Sequence, residues 1–578
     1  MLARKPRTEA PSARKRFRVV LVKPSHYDDD GYVIQWAKSW VPSNSLACLY
    51  AIAQDAAVNQ VLGAGVDIEI NAYDECHTVI PIKKIAQRIQ AADGGLVCLV
   101  GVQSNQFPRA MAIAEQFRAA GVPVAAGGFH ISGCLSMLPE LPPDIVAMRD
   151  IGVSLFAGEA EGRLATVFID AFNGRLQPIY NFMNDLPGLQ SQVTPFLPVE
   201  ILRRYSETLG AFDAGRGCPF QCSFCTIINV QGRKSRWRDA DDVEALVRAN
   251  LAQGVFRFFI TDDNFARNRN WEAIFDRLIE MRETEGLTLQ FIIQVDTLCH
   301  RIPNFVEKAA RAGCARVFIG LENINPDNLL AAKKKQNRVH EYRNLFLAWR
   351  ERKVITYAGY IIGFPADTPE RLVRDIKTVQ DELSVDLLEF FILTPLPGSA
   401  DHQQLSKSGV WMDPDMNKYD LEHVTTGHST MSPAEWQDFY RQAFELYYSP
   451  EHIERMFRRA KASGIKPVRL VNHVLQFYFT FMQEKVHPLQ GGFFRRKVRT
   501  QRRPGMPLEN PLIFYPRRLA EIVTTHVRLV RYYLFLHALR KKVERDTAPY
   551  SDRALVPVDD EESNLPAAPV RKTAAVAA

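Results

Sequence analysis

No stretch of this chain reaches the roughly 18 to 20 uninterrupted apolar residues that cross a bilayer. Val527 to Leu539, the most apolar part of the tail, is broken by Arg528, Arg531 and His537. An integral membrane protein is therefore not expected. Cysteine is scarce as well, since nine in 578 residues cannot build a disulfide scaffold. The first 18 residues are basic but lack a long apolar segment and a small-residue cleavage site, so the sequence reads as cytoplasmic with a loose basic leader. The body carries almost no net charge. The formal +7 is concentrated in the leader, where Arg4, Lys5, Arg7, Arg14, Lys15, Arg16 and Arg18 face only Glu9. No nucleic-acid partner is expected on that basis. A second basic cluster, Arg495, Arg496, Lys497, Arg499, Arg502 and Arg503, reads first as a solvated face.

What is present is an ordinary globular composition, 46% hydrophobic and 24% charged, in a chain too long for one core. Short apolar runs at Arg18 to Lys23, Asp67 to Ala72, Gly95 to Val102 and Val122 to Ala126 alternate with helical stretches. That alternation predicts an α/β, doubly wound parallel sheet over residues 17–174, after a disordered leader 1–16. Residues 175–210 carry four prolines and read as a linker. Six further strand-helix repeats over 211–400 predict a partial barrel with its chemistry at the carboxyl ends of the strands. Residues 401–545 read as mainly helical, and 546–578 as a disordered tail.

Six cysteines (Cys48, Cys76, Cys98, Cys134, Cys299 and Cys314) lie among apolar neighbours and read as buried thiols. The other three form a cluster, Cys218-Pro219-Phe220-Gln221-Cys222-Ser223-Phe224-Cys225, in the loop after the first barrel strand. A structural zinc wants four protein ligands, and the nearest further candidates, His130 and Cys299, lie in other elements. Three thiolates suit an iron-sulfur cluster with one iron left open, which is the favoured reading over zinc.

The CxxxCxxC spacing, with Phe224 before the last cysteine, resembles the radical S-adenosylmethionine superfamily. The resemblance implies a 4Fe-4S cluster on Cys218, Cys222 and Cys225 that chelates S-adenosylmethionine and cleaves it to a 5'-deoxyadenosyl radical. It further implies S-adenosylmethionine contacts from Phe224, from Asp262 in Thr261-Asp262-Asp263-Asn264, and from Glu322 in Gly320-Leu321-Glu322-Asn323. Gly359 and Gly363, in Gly359-Tyr360-Ile361-Ile362-Gly363-Phe364-Pro365, would back the adenine. From the residues alone, Asp262 and Asp263 read equally well as helix caps.

The order of an amino-terminal doubly wound domain before this barrel resembles the cobalamin-binding members of the superfamily, over residues 17 to 450. Positions matching a corrinoid site are Ser104, Gly127, Gly128 and Glu159. The DxHxxG motif that supplies an axial histidine in many cobalamin domains is absent. His26, His77 and His130 are the alternatives, with His26 and His77 expected in loops or at the surface.

The implied activity is a cobalamin-dependent C-methyltransferase acting on an unactivated carbon of a small-molecule or lipid substrate, served by a one-electron donor such as flavodoxin or ferredoxin. The alternatives are a radical cyclase, oxidase or rearrangement enzyme of the same architecture, and a non-catalytic cobalamin or redox sensor. The aromatic runs Phe477 to Phe481 and Tyr532 to Phe535 read first as core, and second, with the basic Arg495 to Arg503 rim, as a peripheral membrane contact.

Overall fold

The computed structural model describes residues 14–558. Lys15–Lys23 (β1), Val66–Asp74 (β2), Gly94–Leu99 (β3), Val124–Gly127 (β4), Ser154–Ala157 (β5) and Ile179–Asn181 (β6) form one sheet. Its order is β2-β1-β3-β4-β5-β6 and every neighbouring pair is parallel. In β1, Phe17, Val19 and Leu21 enter one core while Val20 and Val22 enter the other. Both faces are covered, which is why the strand reads as an unbroken apolar run. Reversal of the strand order beside β1 leaves a crevice at the carboxyl ends of the strands.

The second sheet comprises Gly210–Phe212 (β7), Arg257–Ile260 (β8), Gln290–Val295 (β9), Cys314–Glu322 (β10), Ile355–Ile362 (β11) and Leu387–Ile392 (β12). The strands lie side by side in sequential order and all pairs are parallel. Helices in the crossovers, such as Trp271–Glu283 and Tyr342–Glu351, pack on one face. The carboxyl-terminal region covers the other face with a π-helical stretch, Leu475–Glu484, and with the 35-residue helix Pro511–Arg545. A small antiparallel pair, Gln35–Ser39 with Gly492–Arg496, joins positions more than 450 residues apart.

Several expectations change. The segment read as a linker contributes β6, which extends the first sheet beside β5. Its prolines flank the strand without interrupting the three residues that pair, so composition hid it. Lys15 and Arg16, assigned to the leader, belong to β1, and Arg14 pairs with Asp67 at 2.9 Å; residues 1–13 of that leader lie outside the described residues. Of the expected disordered tail, residues 546–558 pack against the body: Ala554 is buried, Asn344 exchanges hydrogen bonds with the backbone of Val558 at 2.9 and 3.0 Å, and Asp552 meets Arg459 at 2.7 Å. Residues 559–578 lie outside the described residues. The second basic cluster is not a simple solvated face. Arg495 is buried, stands over the Trp36 ring and pairs with Asp28 at 2.9 Å. His26 and His77 are also buried, and burial lowers both, His26 to about 3, so neither is a surface histidine.

The Arg459 guanidinium is buried and, among the described residues, its charge is answered by Asp552 alone, the other partners being the carbonyls of Leu383 and Gln380. Removing one partner of a buried pair strands the other charge. Asp552→Ala is therefore expected to lower the unfolding free energy by about 3 kcal/mol, read as a drop in the denaturant midpoint; an unchanged midpoint would show that residues 546–558 do not secure the body.

Candidate functional site

The three clustered cysteines sit in a flap closed at its base by pairing of Gly215–Arg216 with Arg236–Trp237, beyond the carboxyl end of β7. Gly217 makes the closure feasible. Its φ is +89° and a Cβ there would lie 2.4 Å from the Lys234 carbonyl, so no larger residue fits. Within the flap, the Cys225 N–H donates to the Cys222 carbonyl at 3.2 Å. Burial pushes the Cys225 thiol up to about 12, helped by Asp263, and raises Cys218 as well. Cations stand ready to offset negative charge on the sulfurs. Lys334 is buried, lies over the Phe224 ring at 5.8 Å and forms an ion pair with Glu322. Desolvation lowers Lys334, but Glu322 and Cys222 outweigh it and carry its pKa above the ordinary range. Gln336 donates to the Cys222 sulfur at 3.5 Å. Among the described residues no three His, Cys, Asp or Glu side chains are close enough to hold a single metal ion. A polynuclear cluster bridges thiolates that stand further apart, and three thiolates flanked by a buried ammonium and an amide N–H suit such a group.

The other residues expected at an S-adenosylmethionine site lie on or just after strands of the second sheet. Asp262 follows β8, where it accepts from the Ala214 N–H at 2.7 Å and from Asn268 at 2.9 Å. It caps no helix. Burial raises both Asp262 and Asp263 to about 7. Glu322 ends β10 in the left-handed region, φ +61°, a conformation that costs a non-glycine residue energy and turns its carboxylate to Lys334. Gly359 lies on β11 between the Phe318 and Phe391 rings, 3.0 Å from where its Cβ would be. At Gly363 the close neighbour is the Trp436 indole, whose N–H donates to the Ile362 carbonyl at 3.1 Å. Its glycine is thus explained by packing against the carboxyl-terminal region.

At the carboxyl edge of the first sheet, Gly127, Gly128 and Glu159 line a cavity of about 170 Å³ together with Arg216 and Gln231 of the second unit. Ser104 stands outside this lining and bonds His130 Nδ1 at 3.1 Å, while His130 Nε2 meets Asp144 at 2.9 Å. Glu159 is fully engaged, since it pairs with Arg216 at 2.6 Å and with Arg236 at 2.5 Å. Arg216 also takes Glu161 at 2.6 Å and Asp213 at 3.1 Å. The cavity is smaller than the roughly 300 to 1,000 Å³ that buries a drug-sized ligand.

A larger cavity, about 720 Å³, lies between the second sheet and the carboxyl-terminal helices. Phe318, Tyr357, Phe391 and Phe477 make it mainly aromatic. Glu389 also lines it, buried on β12 with neither carboxylate oxygen hydrogen-bonded. Desolvation, and the nearby Glu322, hold the Glu389 pKa well above the ordinary range. The chemistry at this edge therefore includes Arg216, Lys334, Gln336 and Glu389, none of which the sequence reading singled out. For Glu389 a signal existed, a lone carboxylate in the apolar run Leu387-Leu388-Glu389-Phe390-Phe391. Lys334 and Gln336 lie in a stretch, Lys333 to Asn337, that resembles any solvated loop.

Residues 214–379 match the Radical SAM superfamily. The chain thus contains a radical SAM domain, and such a domain implies a 4Fe-4S cluster and S-adenosylmethionine. Among curated proteins, the chain is 28% identical over 352 residues to bacteriochlorophyllide d C-12(1)-methyltransferase of Chlorobaculum tepidum, covering 60% of this chain and 73% of that one. It is 27% identical over 401 residues to bacteriochlorophyllide d C-8(2)-methyltransferase of the same organism, covering 66% and 83%. Among solved structures, it shares the fold of the radical S-adenosylmethionine methyltransferase TsrM from Kitasatospora setae, solved with cobalamin and a [4Fe-4S] cluster bound. The TM-score is 0.53 at 17% identity, over 68% of this chain and 78% of that one.

Glu389 also sets a pH dependence. With its folded pKa raised far above the ordinary value of 4.5, the folded state keeps a proton that the unfolded chain has lost, so stability falls as pH rises past 4.5. Glu389→Gln removes the ionisation, and the thermal midpoint of the variant is expected to gain on the wild type between about pH 5 and 8. Parallel pH profiles for the two proteins would show that Glu389 is not held neutral.

Proposed function

We propose that this protein is a cobalamin-dependent radical S-adenosylmethionine methyltransferase that methylates an unactivated carbon of a small-molecule or lipid substrate. The observation that carries this reading is the placement of the Cys218, Cys222 and Cys225 flap, which joins the edge of a radical SAM domain to the cavity-bearing edge of the first sheet through Arg216. The names of the curated relatives, both methyltransferases, support the reaction type, and the cobalamin bound by the TsrM structure supports the second cofactor.

In this reading the three thiols hold the cluster once deprotonated. The raised pKa values of Cys218 and Cys225 in the free protein mean that loading releases protons and is favoured by higher pH. Lys334 and Gln336 offset the added negative charge at the sulfurs. Asp262 and Asp263, poised near 7, would ionise on meeting the ammonium of S-adenosylmethionine, because a nearby cation favours the carboxylate. Glu322 would accept from a ribose hydroxyl while its ion pair with Lys334 keeps it oriented. The glycine-lined cavity beside Glu159 would take the corrinoid tail. When bound, the cluster and S-adenosylmethionine supply a 5'-deoxyadenosyl radical, and cobalamin supplies the methyl group. The aromatic cavity under Glu389 is the site for the substrate's apolar body, and its walls keep water from radical intermediates. Electrons would come one at a time from a flavodoxin or ferredoxin.

The test is anaerobic reconstitution with iron, sulfide and cobalamin, followed by a dithionite-driven assay read by mass spectrometry. Bound corrin with both 5'-deoxyadenosine and S-adenosylhomocysteine is the expected result. Cys218→Ala, Cys222→Ala and Cys225→Ala are each expected to cut 5'-deoxyadenosine formation at least about a hundredfold, the upper range seen for losing a mere outer-shell partner of a metal site. Deoxyadenosine without corrin would sink the cobalamin assignment, and failure to incorporate iron would sink the whole reading.

A further inference from the structure

The helix Pro511–Arg545 is amphipathic with its apolar face turned the wrong way for a helix of a water-soluble body. Its packed face contains Phe514, Leu536 and Val543, with Thr525, His526 and Leu529 along the wall of the aromatic cavity. On the opposite face, steps of three, four and seven residues align Leu512, Leu519, Val523, Val527, Val530 and Leu534 in one stripe. These six side chains are between 46% and 83% exposed. From Leu512 to Leu534 the stripe runs for about 33 Å, interrupted by no charge on its midline. Surface helices normally bury such a stripe and expose the polar side. A contiguous apolar face of this length marks a contact with something apolar.

Three observations indicate what that contact is. The helix carries eight Lys or Arg and only two Glu. Arg531 borders the stripe and the basic run Arg540 to Arg545 follows its end, while Arg517 and Arg528 lie further round the helix on Glu509 and Gln483. Cations beside an apolar strip match the headgroups and acyl boundary of an anionic bilayer, whereas pairing with a second copy would set like charges along the seam. The stripe is also continuous with other exposed apolar groups. Phe494 stacks on His526 at 5.3 Å, and both Phe493 and Phe494 are exposed at the cavity rim. Finally, among the described residues no helix is long and apolar enough to cross a membrane, so this one would lie in the interface plane.

We infer that the Pro511–Arg545 helix docks this protein on the surface of an anionic lipid bilayer, with the Leu512 to Leu534 stripe in the acyl boundary. The membrane contact is thus placed on this helix and not on the Arg495 to Arg503 segment, whose leading arginine is buried on Asp28. Because the other face of the helix walls the aromatic cavity, docking would bring that cavity beside the lipid. This last consequence rests on the reading of the cavity as the substrate site; the docking itself does not.

The experiment is flotation of the full-length protein with phosphatidylcholine vesicles, with and without phosphatidylglycerol, at low and high salt. Wild type is expected to float with the anionic vesicles and to lose most of that binding in high salt. Leu519→Ser, Val523→Ser and Val530→Ser are each expected to weaken binding roughly tenfold, for lost apolar burial, and Arg531→Glu at least about fivefold. Their circular dichroism melts should match wild type, since all four side chains are exposed. Unchanged flotation of the triple serine variant would overturn the proposal. So would wild type that ignores vesicles but sediments as a dimer that the same variants disperse, which would assign the stripe to self-association. Cleavage of S-adenosylmethionine separates the two readings: flotation by a protein that makes no 5'-deoxyadenosine supports docking while rejecting the proposed chemistry.

Discussion

Arg216 is the residue on which the arrangement of this molecule turns. It lies two positions before the first clustered cysteine and is almost fully buried, and its guanidinium meets Asp213 of its own segment and both Glu159 and Glu161 of the first sheet. A cation withdrawn from water in this way is tolerable only when its partners are fixed, and removal of one partner of such a pair costs about 3 to 5 kcal/mol. The first α/β unit is therefore not a detachable module beside the cysteine flap. Its docked position is part of what holds the flap in place, and Arg236, which shares Glu159, secures the return strand of the same flap.

Two kinds of buried charge result, and they differ in purpose. Arg216, Arg459 and Arg495 are answered by carboxylates from distant segments and serve to join parts of the chain. Glu389, Asp262 and Asp263 are carboxyl groups that burial drives toward the neutral form. Carboxyls held this way at strand ends and cavity walls are groups whose charge a cationic or hydrogen-bonding ligand can change, which is the usual physical mark of a binding or reacting site. Asp262 and Asp263 lie within residues 214–379, which match the Radical SAM superfamily, and Glu389 lies beyond them on β12.

The carboxyl-terminal region has more than one task in this structure. Trp436 closes on Gly363, the π-helical stretch Leu475–Glu484 roofs the aromatic cavity, and the long helix continues that roof outward. The aromatic runs expected to be core divide accordingly. Phe477, Phe479 and Phe481 are buried, whereas Tyr533, Leu534 and Phe535 remain exposed on the long helix.

The parallel α/β character of both sheets and the grouping of Cys218, Cys222 and Cys225 were legible in the sequence, because each depends on short-range pattern: strand-helix alternation and close spacing along the chain. For Asp262, Glu322 and Gly359 the sequence offered a role through resemblance alone. Other features were decided by tertiary structure. β6 is three residues long in a proline-rich stretch, and pairing with β5 alone makes it a strand. Arg495 reads as a surface cation until Asp28, from the other end of the chain, is placed against it. The outward turn of the Leu512 to Leu534 stripe is likewise invisible in a list of apolar residues. Periodicity establishes that those residues share a face, but which way the face looks depends on what the rest of the chain packs against the helix.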